Sequence, residues 1–75
     1  EVSNKKPSPE VYELILNKLQ MRAEHCIAIE DSLNGLKAAK GAGIRTIVIP
    51  SLYTRHEDFS LADLVLTSLV KLRLK

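Results

Sequence analysis

A lysine and an acidic pair stand one helix and one strand apart in this chain. Lys6 lies in Lys-Lys-Pro-Ser-Pro-Glu-Val-Tyr. Glu30-Asp31 close an apolar run and open Ser-Leu-Asn-Gly-Leu-Lys-Ala-Ala-Lys-Gly-Ala-Gly. A cation and two carboxylates at adjacent strand ends suit a phosphate held together with a divalent metal. Adjacent carboxylates repel each other unless a cation lies close, and Mg²⁺ takes one or two carboxylates beside phosphate oxygens and water. A lysine ammonium is a compact charge with three donors. It can neutralise a phosphoryl oxygen and stabilise charge that develops in transfer. Taken singly, Asp31 reads as a helix cap beside a solvated Glu30, and Lys6 as a surface lysine next to Lys5. The surrounding pattern shifts the reading to a metal and phosphate site. No convincing nucleophile accompanies these residues.

The neighbouring residues leave more than one role open. Ser32 and Asn34 can hydrogen-bond the lysine, the acids or a substrate oxygen; equally, Ser32 can cap a helix and Asn34 serve as a polar first-turn residue. Gly35 in the first helical turn costs about 1 kcal/mol relative to Ala. Close approach of another backbone segment would explain it, and so would drift. Gly41-Ala42-Gly43 follows a helix and precedes a strand, the wrong order for a dinucleotide loop, so it reads as a helix stop. Cys26 reads as a small buried hydrophobe. His25 and His56 lack metal-ligand spacing and read as solvated.

The elements that position these groups are short. Residues 1–7 read as a strand end or loop, and Pro7 pushes Lys6 toward an extended backbone. Ser8 as N-cap, Pro9 at the first helical position and Glu10 in the first turn start a helix. Val11, Leu14, Ile15 and Leu19 recur at helical spacing, widened by Tyr12 and Leu16, to an end near residues 20–22. Residues 26–29 read as a strand buried on both faces. A helix over 33–42 follows, capped by Asp31-Ser32, stopped by Gly41 and Gly43, with Lys37 and Lys40 toward its C-terminus. Residues 46–49 form a second buried strand ended by Pro50. A polar loop over 51–60 carries Tyr53, Arg55, His56, Glu57 and Asp58. Leu64, Val65 and Leu66 form a third strand, and Thr67 or Ser68 caps a terminal helix with Leu69, Val70 and Leu72. Buried strands alternating with helices predict a parallel sheet with right-handed crossovers.

Seventy-five residues make at most one small domain. Such a chain buries only about 60–65% of its unfolded surface, so its stability is marginal. The net charge of +2 is too small to imply a nucleic-acid or membrane partner. The basic ending Lys71-Leu72-Arg73-Leu74-Lys75 is too short to change that. No apolar run is long enough for a transmembrane helix, and no signal-peptide pattern is present. One cysteine excludes an intrachain disulfide and fits a reducing compartment. The first residue is Glu, the chain opens mid-pattern, and three short strands make a poor sheet alone. The chain is therefore expected to be a piece of a longer protein.

Together these residues resemble the haloacid dehalogenase superfamily of phosphohydrolases, in the branch of β-phosphoglucomutase and the CbbY-type sugar-phosphate phosphatases. Lys6-Pro7-Ser8-Pro9-Glu10-Val11-Tyr12 looks like the branch's third motif. Ile29-Glu30-Asp31-Ser32 through Gly35, with Ala38-Ala39 and Gly41-Ala42-Gly43, looks like its fourth. The resemblance runs over about residues 5–69. It implies an α/β fold, a three-layer Rossmann-like parallel sheet with flanking helices, of which residues 1–75 are the C-terminal portion of the core domain. The cap and the N-terminal core would lie outside the chain. Implied roles are Lys6 on the phosphoryl group and nucleophile, and Asp31 with Glu30 on Mg²⁺, directly or through water. Lys6, Ser32 and Asn34 would contact substrate. The family's Asp-x-Asp nucleophile segment is not in this chain. The implied activity is a Mg²⁺-dependent phosphatase acting on a small phosphorylated metabolite, a sugar phosphate, through an aspartyl-phosphate; alternatives are a phosphomutase or a non-catalytic interaction module. The expected partners are that metabolite and the remainder of the parent chain, with no nucleic acid and no membrane. The expected location is the cytoplasm, or an organelle stroma or matrix in a eukaryote.

Overall fold

The structure, a computed structural model, describes residues 8–67. Lys6, the segment 1–7 and the expected terminal helix lie outside the described residues. Helix α1 spans Glu10–Leu19, strand β1 Ile27–Glu30, helix α2 Leu33–Gly41, strand β2 Arg45–Val48 and strand β3 Leu64–Val65. A 3₁₀ turn over Ala23–His25, not foreseen from the pattern, joins α1 to β1. The strands form a parallel sheet in the order β1-β2-β3, as the alternation of helices and strands predicts.

Helix α1 begins one residue later than expected. Pro9 is its N-cap and Glu10 its first residue, while the Ser8 hydroxyl still accepts the Glu10 N–H at 3.2 Å. Gln20 closes α1 in the left-handed region at φ 54°. Tyr12 and Leu16, one turn apart, face the sheet. Ile15 and Leu19 remain largely exposed, at the rim of an apolar depression that they line with Tyr12, Leu16 and Ile27.

Strand β1 is buried on one face only, which corrects the two-sided expectation. Ala28 and Glu30 are buried; Ile27 and Ile29 are 62% and 65% exposed. In register, Ala28 pairs with Thr46 and Glu30 with Val48, so the inward residues of β1 and β2 share one face. Both helices cover that face. Ala28, Ala39 and Ile44 form one core cluster with Tyr12, Leu16 and Cys26 against it. Leu36, Val48 and Phe59 form a second, with Leu33 and Ala62. Among the described residues the Ile27–Ile29 face carries no covering helix, and the parallel sheet with its flanking helices is the α/β arrangement expected of a partial core. Cys26 is half-buried against the first cluster, and His25 and His56 are exposed.

Gly41 is the last residue of α2, and Gly43, at φ 81°, takes the left-handed turn into β2. At the amino end of the sheet, Asp63 accepts hydrogen bonds from Lys40 Nζ at 2.9 Å and the Thr46 N–H at 2.7 Å. The Lys40 ammonium, and then the Thr46 amide, hold the Asp63 carboxyl below its ordinary value. This contact ties α2, β2 and the start of β3 together at the end opposite the acidic pair.

Candidate functional site

The acidic pair stands at the carboxyl end of β1, where ligands of open parallel sheets bind. Strand alternation sends its two members different ways. Glu30 is the last residue of β1 and points into the helix-covered face, 9% exposed. Asp31 begins the turn and is exposed. Helix α2 then starts at Leu33, with Ser32 as an extended N-cap whose hydroxyl accepts the Gly35 N–H at 3.1 Å. The partial positive charge of the helix N-terminus therefore lies just behind the carboxylates.

Glu30 is held from two sides. The Tyr12 hydroxyl of α1 donates to its Oε2. Its Oε1 and Cδ lie over Gly35, where a Cβ would overlap them. Close approach thus explains the glycine, but the approaching group is a side chain, not a second backbone segment. Asn34 is exposed on the first turn of α2.

A shallow cleft of about 330 Å³ opens at this end of the sheet, lined by Ile29, Glu30, Asp31, Ile49, Pro50 and Ser51. Pro50 and Ser51 also line a neighbouring depression of similar volume that includes Arg55 and Phe59. The loop after β2 reaches back across the acidic turn. The Thr54 hydroxyl donates to the Asp31 carbonyl at 2.5 Å, and Glu57 Oε1 accepts the Leu33 N–H at 2.8 Å.

The structure therefore brings Glu30, Asp31 and Ser32 together at one strand end, with Asn34 close by in the chain. Sequence reading missed Tyr12, Thr54 and Glu57 as neighbours of the site. Tyr12 carried a signal, a hydroxyl within an apolar helical stripe, which needs a polar partner when buried. Thr54 and Glu57 carried none, since loop residues more than twenty positions away declare no contact.

A parallel α/β unit of this kind, with carboxylates at the carboxyl edge of its sheet, belongs to the Rossmann-like class of folds. The profile of haloacid dehalogenase-like hydrolases matches residues 1–49, and the chain belongs to that family. It is 56% identical over 71 residues to Protein CbbY of Cereibacter sphaeroides, covering 95% of this chain and 31% of that one. It is 42% identical over 71 residues to hexitol phosphatase B of Escherichia coli K12, covering 93% of this chain and 32% of that protein. The crystal structure of CbbY from Rhodobacter sphaeroides in complex with phosphate superposes with a TM-score of 0.89 at 56% identity, over 95% of this chain and 32% of that chain. A mutant of the same protein, in complex with xylulose-(1,5)bisphosphate, gives the same values. The chain spans about a third of the length of these relatives.

Proposed function

We propose that residues 1–75 are the C-terminal portion of the core of a Mg²⁺-dependent phosphohydrolase acting on a small phosphorylated metabolite, a sugar phosphate. The observation that carries this reading is the split acidic pair, Glu30 inward and Asp31 outward, at the carboxyl end of β1 beside an open cleft. The phosphate and xylulose bisphosphate complexes of the CbbY structures support the substrate class.

The donor set fits Mg²⁺. Both groups are hard carboxylate oxygens, and Mg²⁺ needs only one or two beside water and phosphate. Asp31 would hold the ion at the mouth of the cleft, and Glu30 would support it directly or through water. The bound ion would neutralise charge on the phosphoryl oxygens. Lys6 would hold the phosphoryl group, and Ser32 and Asn34 would hydrogen-bond substrate oxygens. All of these groups orient and stabilise charge; none attacks phosphorus. The aspartate that forms the aspartyl-phosphate would come from the remainder of the parent chain, which would also cover Ile27 and Ile29. A single half-buried cysteine agrees with a reducing compartment such as the cytoplasm.

Phosphate release from hexitol phosphates and sugar bisphosphates, measured with and without a chelator, tests the reading. A full-length protein containing this chain should turn over only with Mg²⁺, and the isolated 75-residue chain should not. Robust turnover by the isolated chain would show the chemistry to be misplaced. Isomerised sugar phosphate without phosphate release would identify a mutase.

A further inference from the structure

We infer that Thr54 and Glu57 are positioning residues: they clamp the acidic turn from the opposite loop and fix Asp31 for its cation. The inference rests on the proposed role of Asp31 in holding Mg²⁺.

Strand β2 ends at Val48, and the chain turns back over residues 52–56 to Glu57. The Thr54 hydroxyl is committed in both directions. It accepts the Ser51 N–H at 2.9 Å and donates to the Asp31 carbonyl at 2.5 Å. Glu57 accepts the Leu33 N–H at 2.8 Å. The peptide units before and after Ser32 are therefore each tied to the same loop, by residues 23 and 24 positions away. The loop has its own anchors. The Glu57 N–H donates to the Thr54 carbonyl at 2.9 Å, and Phe59 is buried against Leu36 and Val48.

Helix α2 already has a local cap in Ser32. A second, charged acceptor from a distant loop adds something else. It fixes where the turn lies relative to Pro50 and Ser51 on the far wall of the cleft. Among the described residues, no three His, Cys, Asp or Glu side chains gather in a metal-holding group. Glu57 spends Oε1 on the Leu33 amide, so it acts on the turn through the backbone. Mg²⁺ demands near-octahedral geometry at short distances, so a turn that rocks loses affinity. Groups that orient metal ligands typically matter by about 10–100-fold in affinity.

The test uses a full-length protein containing this chain, with Mg²⁺ binding measured by calorimetry and Mg²⁺ half-saturation of phosphate release measured in parallel. Glu57→Ala and Thr54→Val should each weaken Mg²⁺ binding about tenfold. Glu57→Gln keeps an acceptor and Thr54→Ser keeps a hydroxyl, so both should stay within about threefold. Thr54→Val is nearly isosteric and decides the matter if Glu57→Ala fails to fold. Lowered melting temperatures with unmoved Mg²⁺ affinity would overturn the clamp alone and leave an ordinary loop staple. A wild-type protein that binds no Mg²⁺ would overturn the functional reading and the clamp with it.

Discussion

Replacing Gly35 by Ala separates two effects that ordinarily travel together. On helix propensity alone the change should stabilise α2 by about 0.8–1.0 kcal/mol. Here the new methyl would overlap the Glu30 carboxylate. The carboxylate is the flexible end of its side chain, so it can swing away, but it then leaves the Tyr12 hydroxyl. A hydrogen bond to a charged group contributes about 1.5–3 kcal/mol. If Glu30 stays, the overlap pushes α2 off the sheet, and overpacking costs about 1–3 kcal/mol. These two costs are alternatives, since the swing relieves the overlap. Subtracting the propensity gain from whichever cost applies leaves a net loss of about 0–2 kcal/mol. The metal site should suffer more than the fold, because a displaced Glu30 no longer supports the ion: Mg²⁺ affinity should fall by about 10–100-fold. Urea unfolding with and without Mg²⁺, and Mg²⁺ titration of phosphate release in the full-length protein, read the two effects separately. Tyr12→Phe removes the hydroxyl without adding volume and should reproduce part of the affinity loss. A Gly35→Ala protein that is about 1 kcal/mol more stable, with an unchanged Mg²⁺ requirement, would refute the packing of Glu30 beneath the first turn.

Asp31→Ala should leave the unfolding free energy within about 0.5 kcal/mol, since Asp31 is exposed. It should abolish most phosphate release, and near-normal turnover would remove Asp31 from the site. Lys6→Ala should lower kcat by about 10²–10³-fold if the lysine stabilises the transferring phosphoryl group; an effect confined to KM would make it a binding residue only. Asp63 sets an acid-stability prediction. Its folded-state pKa is depressed, so it adds stability above the ordinary value of 3.8, and that contribution is lost as pH falls from there through the folded value. Asp63→Asn should flatten this segment of the acid-unfolding curve, and an unchanged curve would show that the Lys40 contact does not hold in solution.

The element order was legible because local signals agreed. Ser-Pro-Glu marks the start of α1, Ser32 caps α2, and Gly43 supplies the left-handed turn that leads into β2. Burial was less legible. An apolar run such as Cys26-Ile27-Ala28-Ile29 reads as covered on both sides, yet hydrophobicity states what a strand can bury and not what is present to bury it. The same limit explains Ile15 and Leu19, which repeat at helical spacing yet remain largely exposed. Phe59 illustrates the converse. It lies in a polar loop without periodicity, and only the third dimension shows it completing the Leu36–Val48 cluster.

The acidic pair was legible as a unit and not as two parts. Alternation along β1 assigns them different work. With Ala28 buried in the core, Glu30 must also point inward, beneath Gly35 and against Tyr12, while Asp31 stands beyond the last paired residue. An inward carboxylate with fixed neighbours can hold an orientation but admits little solvent. An outward carboxylate on a turn admits a hydrated ion but has little orientation of its own. The loop after β2 supplies what Asp31 lacks by tying the Asp31 carbonyl and the Leu33 amide. A one-residue slip of β1 against β2 would exchange the two roles and bury Asp31 without a tyrosine to meet it. The register Glu30 to Val48, set by which residues fill the core, is therefore also what decides which acid stands outward at the cleft and which lies behind it against the core.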